Sequence, residues 1–165
     1  MGSINKAKVN LKTLQPLMKE LNRKISIKVG ILAPEASQKH SGSGLTMAEL
    51  GAIHEFGSAD GKIPARSFLR VPILGAKGMR VLRNALKDRL FCNLEDDKLL
   101  CSLYPEFLTK ACKSVAEWAY LQVLQAFASN GGGTWEPLKN NRESKQILVD
   151  TKELKQSVFY KVEEY

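Results

Sequence analysis

Cysteine and histidine are scarce in this chain of 165 residues, and their scarcity argues against several classes of site. The three cysteines are odd in number and form no C-x-x-C pair, so we expect reduced thiols rather than a disulfide framework. The two histidines, His40 and His54, lie apart and without a neighbouring cysteine, whereas zinc needs about four clustered N, S or O ligands. We therefore expect neither a metal site nor a cofactor.

Catalytic signatures are missing as well. No G-x-S-x-G elbow occurs, and the glycines at 131–133 lack the Gly-Lys-Ser/Thr ending of a phosphate-binding loop. Cys112 lies among apolar residues of a predicted helix, which is typical of a buried structural thiol. A Ser-His-Asp or Cys-His arrangement built from distant residues stays open in principle. We expect no catalytic residues and predict that the protein is not an enzyme.

Long apolar segments are also absent. The first residues, MGSINK, do not begin the apolar core of a signal peptide. The most apolar stretch, residues 115–128, is interrupted by polar side chains and is too short to span a bilayer. The sequence predicts a soluble intracellular protein without a membrane partner.

Acidic residues are outnumbered, 17 against 25 basic ones, and the net charge is +8. Residues 1–30 carry +6 and residues 62–90 carry +7, which leaves −5 for the rest of the chain. This asymmetry predicts separate basic and acidic surfaces that suit oppositely charged partners. The partner could be nucleic acid, an anionic protein surface or another copy of the chain, and charge leaves all three open.

Hydrophobic periodicity predicts a mixture of strands and helices. Alternation over residues 25–32 predicts a half-buried strand, and residues 158–162 predict a second one. A spacing of three and four residues between apolar side chains predicts helices. These helices are expected over residues 14–21, 47–56, 75–91 and about 105–129. The residues expected near one face of the last helix are Leu108, Ala111, Val115, Ala119 (or Trp118) and Gln122.

The helix over residues 47–56 has the clearest boundaries. Thr46 and Glu49 have the spacing of a capping box, and Gly57 is a natural C-terminal stop. The residues expected on one face of this helix are Leu50, Ile53 and His54.

These elements predict an α+β fold, with a small, mainly antiparallel sheet packed by two or three helices, one of them long. Residues 1–165 are expected to form a single domain. A Ser- and Gly-rich segment near residues 36–45 predicts a mobile loop. The glycines within residues 130–134 predict a linker after the long helix.

A basic stripe follows one side of the helix predicted over residues 75–91. Arg80, Arg83 and Lys87 recur there at helical spacing and could contact phosphates. We favour a solvated or protein-contacting face, because aromatic residues for stacking bases are not interleaved with them. These three residues are candidates for a subunit interface.

Two pairs of sequence blocks resemble a known family. Residues 48–57, AELGAIHEFG, and residues 63–69, IPARSFL, are similar to the E-[FY]-G … P-x-R-[PS]-F-[LM] signature of phage virion-morphogenesis and tail-completion proteins. Residues 133–138, GTWEPL, and residues 147–158, ILVDTKELKQSV, resemble that family's closing W-x-P-L … I-L-x-D-T-G-x-L-x-x-S block. The order and spacing of the blocks also agree, and together they span most of the chain.

These blocks contain three further candidate interface residues. Arg66 is expected to project away from Phe68 and to come within reach of Glu55, either as a surface ion pair of ~0–1 kcal/mol or as a latch between subunits. Trp135 could pack in the core or against a neighbouring subunit, and we favour the core. Lys152 stands where the family has glycine, so we expect a different turn there.

The resemblance implies a virion structural protein that completes or terminates a phage tail and joins it to the neck. It implies a homo-oligomeric ring, commonly a hexamer, which contacts tail-tube and neck or connector proteins after assembly in the host cytoplasm. A head-to-tail ring would suit the charge asymmetry, and it would also permit non-specific contact with phage DNA in its lumen.

Three alternatives stay open. The first is a basic nucleic-acid-binding module, and the second is a tail assembly factor that is absent from the virion. The third is a small hydrolase that depends on His40 or His54, for which the sequence provides no positive sign.

Overall fold

The computed structural model describes residues 15, 18–19, 22–75, 78–80, 82–84, 107–137 and 152–165. Of the helices predicted over residues 14–21 and 75–91, only parts are described, and the described parts within 15–19 and 78–84 have helical backbone. Lys87 lies outside the described residues, as do residues 138 and 147–151 of the closing sequence block.

Two strands form the sheet of the described chain. Strand β1 (Ile25–Ile31) pairs antiparallel with β2 (Val158–Glu164), in a register that places Ile25 opposite Glu164. Both strands were predicted from the sequence, and they are confirmed to within about two residues at their ends.

The described helices are α1 (Met47–Phe56), α2 (Arg70–Leu74), α3 (Phe107–Ala128) and α4 (Glu153–Gln156), with a short 3₁₀ turn at Glu35–Ser37. Helix α3 contacts both β1 and β2, so it covers one face of the sheet. The α+β fold with a small antiparallel sheet and one long helix is therefore confirmed. None of the helices in the described ranges has the length and apolar content required to cross a bilayer.

The ends of α1 follow the sequence signals. The Thr46 hydroxyl accepts from the Glu49 N–H at 3.2 Å, and the Glu49 carboxylate accepts from the Thr46 N–H at 2.9 Å, which completes the capping box. Gly57 ends the helix with a φ of 86°.

The buried face of α1 differs from the expected one. Its buried residues are Met47, Gly51 and Glu55, whereas Leu50 is only half-buried against the core. A Cβ atom at Gly51 would clash with the side chain of Ile31, so the absence of a side chain lets α1 approach β1 along this line. The close approach rotates Glu55 into the interior.

The core lies between the sheet, α3 and the segments that precede α2 and follow α3. Phe68, Val123, Phe127 and Val158 are its fully buried large side chains. The Phe127 ring lies 5.0 Å from that of Phe68 and contacts Trp135 edge-on at 6.2 Å between centroids. Phe68 lies in the sequence block of residues 63–69 and Trp135 in that of residues 133–138, so these two blocks contribute to one core.

The buried stripe of α3 agrees with the prediction in its middle and differs at both ends, since Leu108 is only half-buried. Ala111, Val115 and Ala119 are buried as expected. Gln122 is only half-buried, and Val123 is fully buried in its place. Val115, Ala119 and Val123 are spaced by four residues, so the buried face is rotated away from the side of the helix on which Gln122 lies.

The glycine-rich segment after α3 is a folded turn. Asn130 and Gly131 have positive φ angles of 50° and 66°, and the Gly131 N–H donates to the Ala126 carbonyl at 2.8 Å, as in a Schellman motif. A Cβ atom at Gly131 would clash with the Trp135 indole. Residues 130–134, expected as a linker, therefore turn the chain back so that Trp135 enters the core.

The segment predicted as a mobile loop near residues 36–45 forms hydrogen bonds within itself and with α4. The His40 N–H donates to the Leu45 carbonyl at 2.7 Å, and the Ser41 hydroxyl donates to the Glu153 carboxylate at 2.6 Å. The loop is thus bonded to itself and to α4, and its mobility stays a prediction.

Lys152 has a backbone conformation that glycine adopts more easily than lysine. It precedes α4 in a left-handed conformation with a φ of 61°. The surrounding chain holds lysine in this conformation, which costs an L-residue roughly 1–2 kcal/mol. Whether the turn differs from the family's stays a prediction.

Candidate functional site

A buried carboxylate, that of Glu55, lies at the C-terminal end of α1 with only 4% of the residue exposed. Its Oε1 accepts from the Ser67 hydroxyl at 2.5 Å and from the Arg70 N–H at 3.0 Å. Its Oε2 accepts from the N–H groups of Phe68 and Leu69 at 2.9 and 3.0 Å. Both oxygens are thereby occupied, which leaves this group unsuited to act as a general base or metal ligand.

These bonds cap the N-terminus of α2. A helix of five residues is too short to be stable alone, and its first N–H groups lack internal partners. Glu55 accepts from the first of them, and the Ser67 hydroxyl oxygen accepts from the Val71 N–H at 3.0 Å. The next residue, Pro72, has no N–H to satisfy. The negative charge of Glu55 also lies at the positive end of the helix dipole, where it stabilises α2.

Arg66 joins two distant segments of the chain. It is 5% exposed, and its guanidinium donates to the Glu136 carbonyl from Nε at 3.3 Å and from Nη2 at 3.1 Å. Its backbone N–H donates to the His54 carbonyl at 2.7 Å. Burial lowers the pKa of Arg66, whereas the charge of Glu136 acts to raise it. The end of α1 is thus connected through Arg66 to the segment that follows the glycine turn.

The expected approach of Arg66 to Glu55 is replaced by these separate partners. Alternate residues of an extended chain face the same side, so Arg66 follows Phe68 into the interior instead of projecting away from it. With Trp135 only 7% exposed, three of the candidate interface residues lie inside the subunit and close to one another in the fold. We name this cluster of Glu55, Arg66 and Trp135 with the Glu136 carbonyl the junction.

The remaining candidate residues are not part of the junction. Arg80 and Arg83 are exposed on helical backbone, and Lys87 lies outside the described residues. The basic side chain at the edge of the junction is instead Arg70, whose guanidinium lies 5.2 Å from the centre of the Phe56 ring. This cation–π contact leaves both side chains on the surface.

Large apolar side chains are exposed beside the junction. Phe56, Val71 and Leu74 are 65%, 59% and 58% exposed, and all three belong to α1 or α2. Neighbouring apolar groups at this exposure are typical of a surface that contacts another protein. We name these three residues the apolar patch.

Two titratable groups of the described chain, His54 and Cys112, have pKa values shifted by burial. The Nδ1 atom of His54 is enclosed and has no hydrogen-bond partner among the described residues. Burial, together with the charges of Arg66 and His40, lowers the pKa of His54 to about 4, so its ring is neutral at pH 7. Burial likewise raises the pKa of Cys112, which disfavours a reactive thiolate.

Side chains that ligate metal ions are not clustered in the described part of the chain. Within the described ranges, no group of three or more His, Cys, Asp or Glu side chains is placed to hold a metal ion. His40 Nε2 lies 3.8 Å from Glu153 Oε2, which brings one histidine near one carboxylate. The described hydrogen bonds of the junction therefore hold the end of α1, the start of α2 and the segment after the glycine turn together.

Sequence reasoning missed two members of the site, the Ser67 hydroxyl and the Glu136 carbonyl. Ser67 is recognisable in retrospect as a serine three residues before the start of α2, whereas a carbonyl oxygen has no signature in sequence. The burial of Glu55 was signalled only by its spacing of four residues from Gly51 and eight from Met47.

In comparisons with family models, with curated protein sequences and with solved structures, nothing matched the chain.

Proposed function

We propose that this protein is a non-enzymatic structural component of a tailed phage, which completes or terminates the tail and joins it to the neck as a ring of identical subunits. The observation that carries the proposal is the bond between Arg66 and the Glu136 carbonyl. It connects the first family-like block to the closing block, which are 70 residues apart at this contact. Residues that resemble one family's signature thus act together in the fold.

The use of polar groups at the junction supports a structural role. An active site usually leaves a nucleophile, base or acid accessible in a cleft, with capacity to bind substrate. Both carboxylate oxygens of Glu55 instead accept hydrogen bonds from donors of the same chain, and the Arg66 guanidinium donates to a backbone carbonyl. The motif residues therefore stabilise one subunit, and the function is left to the surface that they position.

The apolar patch is the surface in question. Glu55 holds the start of α2, and α2 presents Val71 and Leu74 outward next to Phe56. Arg70 stands beside them as a positive group. A neighbouring subunit with apolar side chains and an acidic rim would suit this surface, which agrees with a head-to-tail ring.

The decisive experiment is mass spectrometry of purified phage particles, with quantification of copies per particle. We expect a fixed stoichiometry of about six copies, as for a closed ring. Deletion of the gene should give filled heads and separate tails by electron microscopy, and expression in trans should restore joined particles. Absence from purified particles that still depend on the protein for assembly would instead identify an assembly factor.

A second candidate function is favoured by the exposure of Arg80 and Arg83. A basic nucleic-acid-binding module would bind plain duplex DNA with an affinity that falls steeply with salt. The double variant Arg80→Ala/Arg83→Ala would then lower both the affinity and the salt dependence. Under the structural proposal, Arg80 and Arg83 contact a neighbouring subunit, so the same variant weakens ring assembly and leaves no measurable affinity for plain DNA to be lost.

A further inference from the structure

The outer edge of β2 lacks a strand partner among the described residues. Within the ranges that the structure describes, the sheet has two strands, and the side of β1 away from β2 is approached by α1. On β2, in contrast, Phe159 and Tyr160 remain 43% and 41% exposed. An open edge with exposed aromatic residues is a template for pairing with another strand.

The direction of the backbone groups at this edge follows from one hydrogen bond. The Tyr165 N–H donates to the Lys24 carbonyl at 3.0 Å. Because Ile25 lies opposite Glu164, Lys24 lies directly opposite Tyr165 in the same register. In an antiparallel ladder, hydrogen-bonded and non-bonded pairs alternate. The odd-numbered residues of β2 therefore bond to β1. The even-numbered residues Tyr160, Val162 and Glu164 direct their N–H and C=O groups outward.

We propose that this edge pairs with the same edge of a second copy of the chain, antiparallel, about a two-fold axis at Val162. The pairing extends the sheet to four strands across two subunits and provides about six intermolecular hydrogen bonds, two for each bonded pair. It is a contact between identical surfaces, distinct from the head-to-tail contacts of a ring, and it does not depend on a role in phage assembly.

The charges of β2 select this register. Lys161 then lies opposite the partner's Glu163, and the reverse pair forms across the axis. Shifting the axis to Lys161 or to Glu163 keeps the hydrogen bonds but places two like charges directly opposite, which is unfavourable. A register centred on Tyr160 places the partner's Phe159, and no acidic residue of the partner, opposite Lys161, which lies 2.9 Å from Glu163 of its own subunit. Of the arrangements that satisfy the outward hydrogen-bonding groups, the one centred on Val162 is complementary in charge.

Helix α3 permits the pairing. It runs antiparallel along β2, since the Thr109 hydroxyl donates to Glu164 at 2.6 Å while the Tyr120 ring lies 5.6 Å from that of Tyr160. A two-stranded sheet is about 10 Å wide, which matches the 8–10 Å between packed helices. The two copies of α3 can therefore lie side by side on one face of a four-stranded sheet.

The exposed side of α3 adds a second complementary pair. Lys113 and Glu117 are exposed and lie one turn apart, between the contacts that α3 makes with Glu164 and Tyr160. The two-fold axis at Val162 reverses this order in the second copy. Lys113 then comes to the level of the partner's Glu117, so the helices meet with opposite charges.

Sedimentation equilibrium of the full chain over a wide range of concentrations tests the association. We expect reversible self-association, and we expect Val162→Pro to abolish this step, because proline removes an outward N–H and none that bonds to β1. The unfolding transition of Val162→Pro establishes that the subunit still folds. A wild-type chain that stays monomeric, or an association that Val162→Pro leaves unchanged, overturns the proposal.

Charge exchange tests the register. Lys161→Glu should weaken the association roughly tenfold, because it converts two attractive cross-strand pairs into repulsive ones. The double variant Lys161→Glu/Glu163→Lys should restore it, and the control Lys39→Glu, a charge exchange outside β2, should leave it unchanged. Failure of the double variant to restore association overturns the assigned register.

Amide hydrogen exchange, measured residue by residue, distinguishes the residues of β2 whose N–H groups face outward from those that bond to β1. Tyr160, Val162 and Glu164 should exchange quickly in dilute protein and slowly in concentrated protein. The odd-numbered neighbours Phe159 and Lys161 should stay protected at both concentrations. Protection of Tyr160, Val162 and Glu164 that does not change with concentration overturns the proposal, and so does equal protection of both sets. Such results are expected if β2 pairs with a different polypeptide.

Discussion

A single carboxylate organises the start of α2. Four donors converge on Glu55, three of them successive backbone N–H groups, and the residue is 4% exposed. Removing its charge leaves these donors with a weaker acceptor, and an amide in its place adds N–H groups that face them. Buried polar groups without a suitable partner cost about 1–3 kcal/mol each.

We expect Glu55→Gln to lower the free energy of unfolding by about 2–4 kcal/mol, since it disrupts a buried charged network. Urea denaturation measures the change. The control is Glu117→Gln on the exposed side of α3, which should change stability by no more than about 0.5 kcal/mol. Equal stabilities of the two variants would contradict the role assigned to Glu55.

A strained residue precedes α4, and its replacement should stabilise the protein. Lys152 holds a φ of 61°, so Lys152→Gly relieves a steric cost and should raise the free energy of unfolding by roughly 0.5–1 kcal/mol. The matched control Lys155→Gly lies within α4 and should lower it by about the same amount. Thermal unfolding of the pair checks the opposite signs, and destabilisation by both would refute the interpretation.

At the scale of elements, Arg66 holds the segment after the glycine turn. We expect Arg66→Gln to lower stability by about 1–3 kcal/mol and to loosen this segment, because the Glu136 carbonyl loses both donors. The emission of Trp135, measured in a Trp118→Phe background, should shift to the red as its indole gains exposure. Arg80→Gln is the control, and an unchanged spectrum for Arg66→Gln would show that Trp135 packs independently.

The helix ends were predictable at this scale, because the signals for them are local. The capping box of Thr46 and Glu49, the stop at Gly57 and the two strands were all read from neighbouring residues. The brief helix α2 was not predicted. Its five residues carry no periodicity, and the carboxylate that caps it lies 15 residues earlier.

For the whole molecule, acid should destabilise the fold through His54. Its pKa is about 4 in the folded protein against 6.5 ordinarily, because of burial first and then the charges of Arg66 and His40. Between these values the unfolded chain binds the extra proton. Stability is therefore retained above pH 6.5 and falls as the pH decreases towards about 4, by roughly 1–3 kcal/mol.

Urea denaturation at several pH values across this window checks the prediction. His54→Phe should remove this contribution, whereas His40→Gln should retain most of it. The carboxylates of Asp60 and Glu163 have pKa values of about 2, held low by hydrogen bonds from Ser58 and from Lys28, so they contribute at lower pH. An unchanged slope in His54→Phe would contradict the assignment.

By itself, the sequence determined the fold class, the two strands, the limits of α1 and the extent of α3, because periodicity and capping act over a few residues. Only the tertiary structure decided which partners Glu55 and Arg66 take, and that the glycine turn returns Trp135 to the core. Those choices depend on which donors and acceptors lose water together when distant segments pack. A local pattern carries no information about that shared burial.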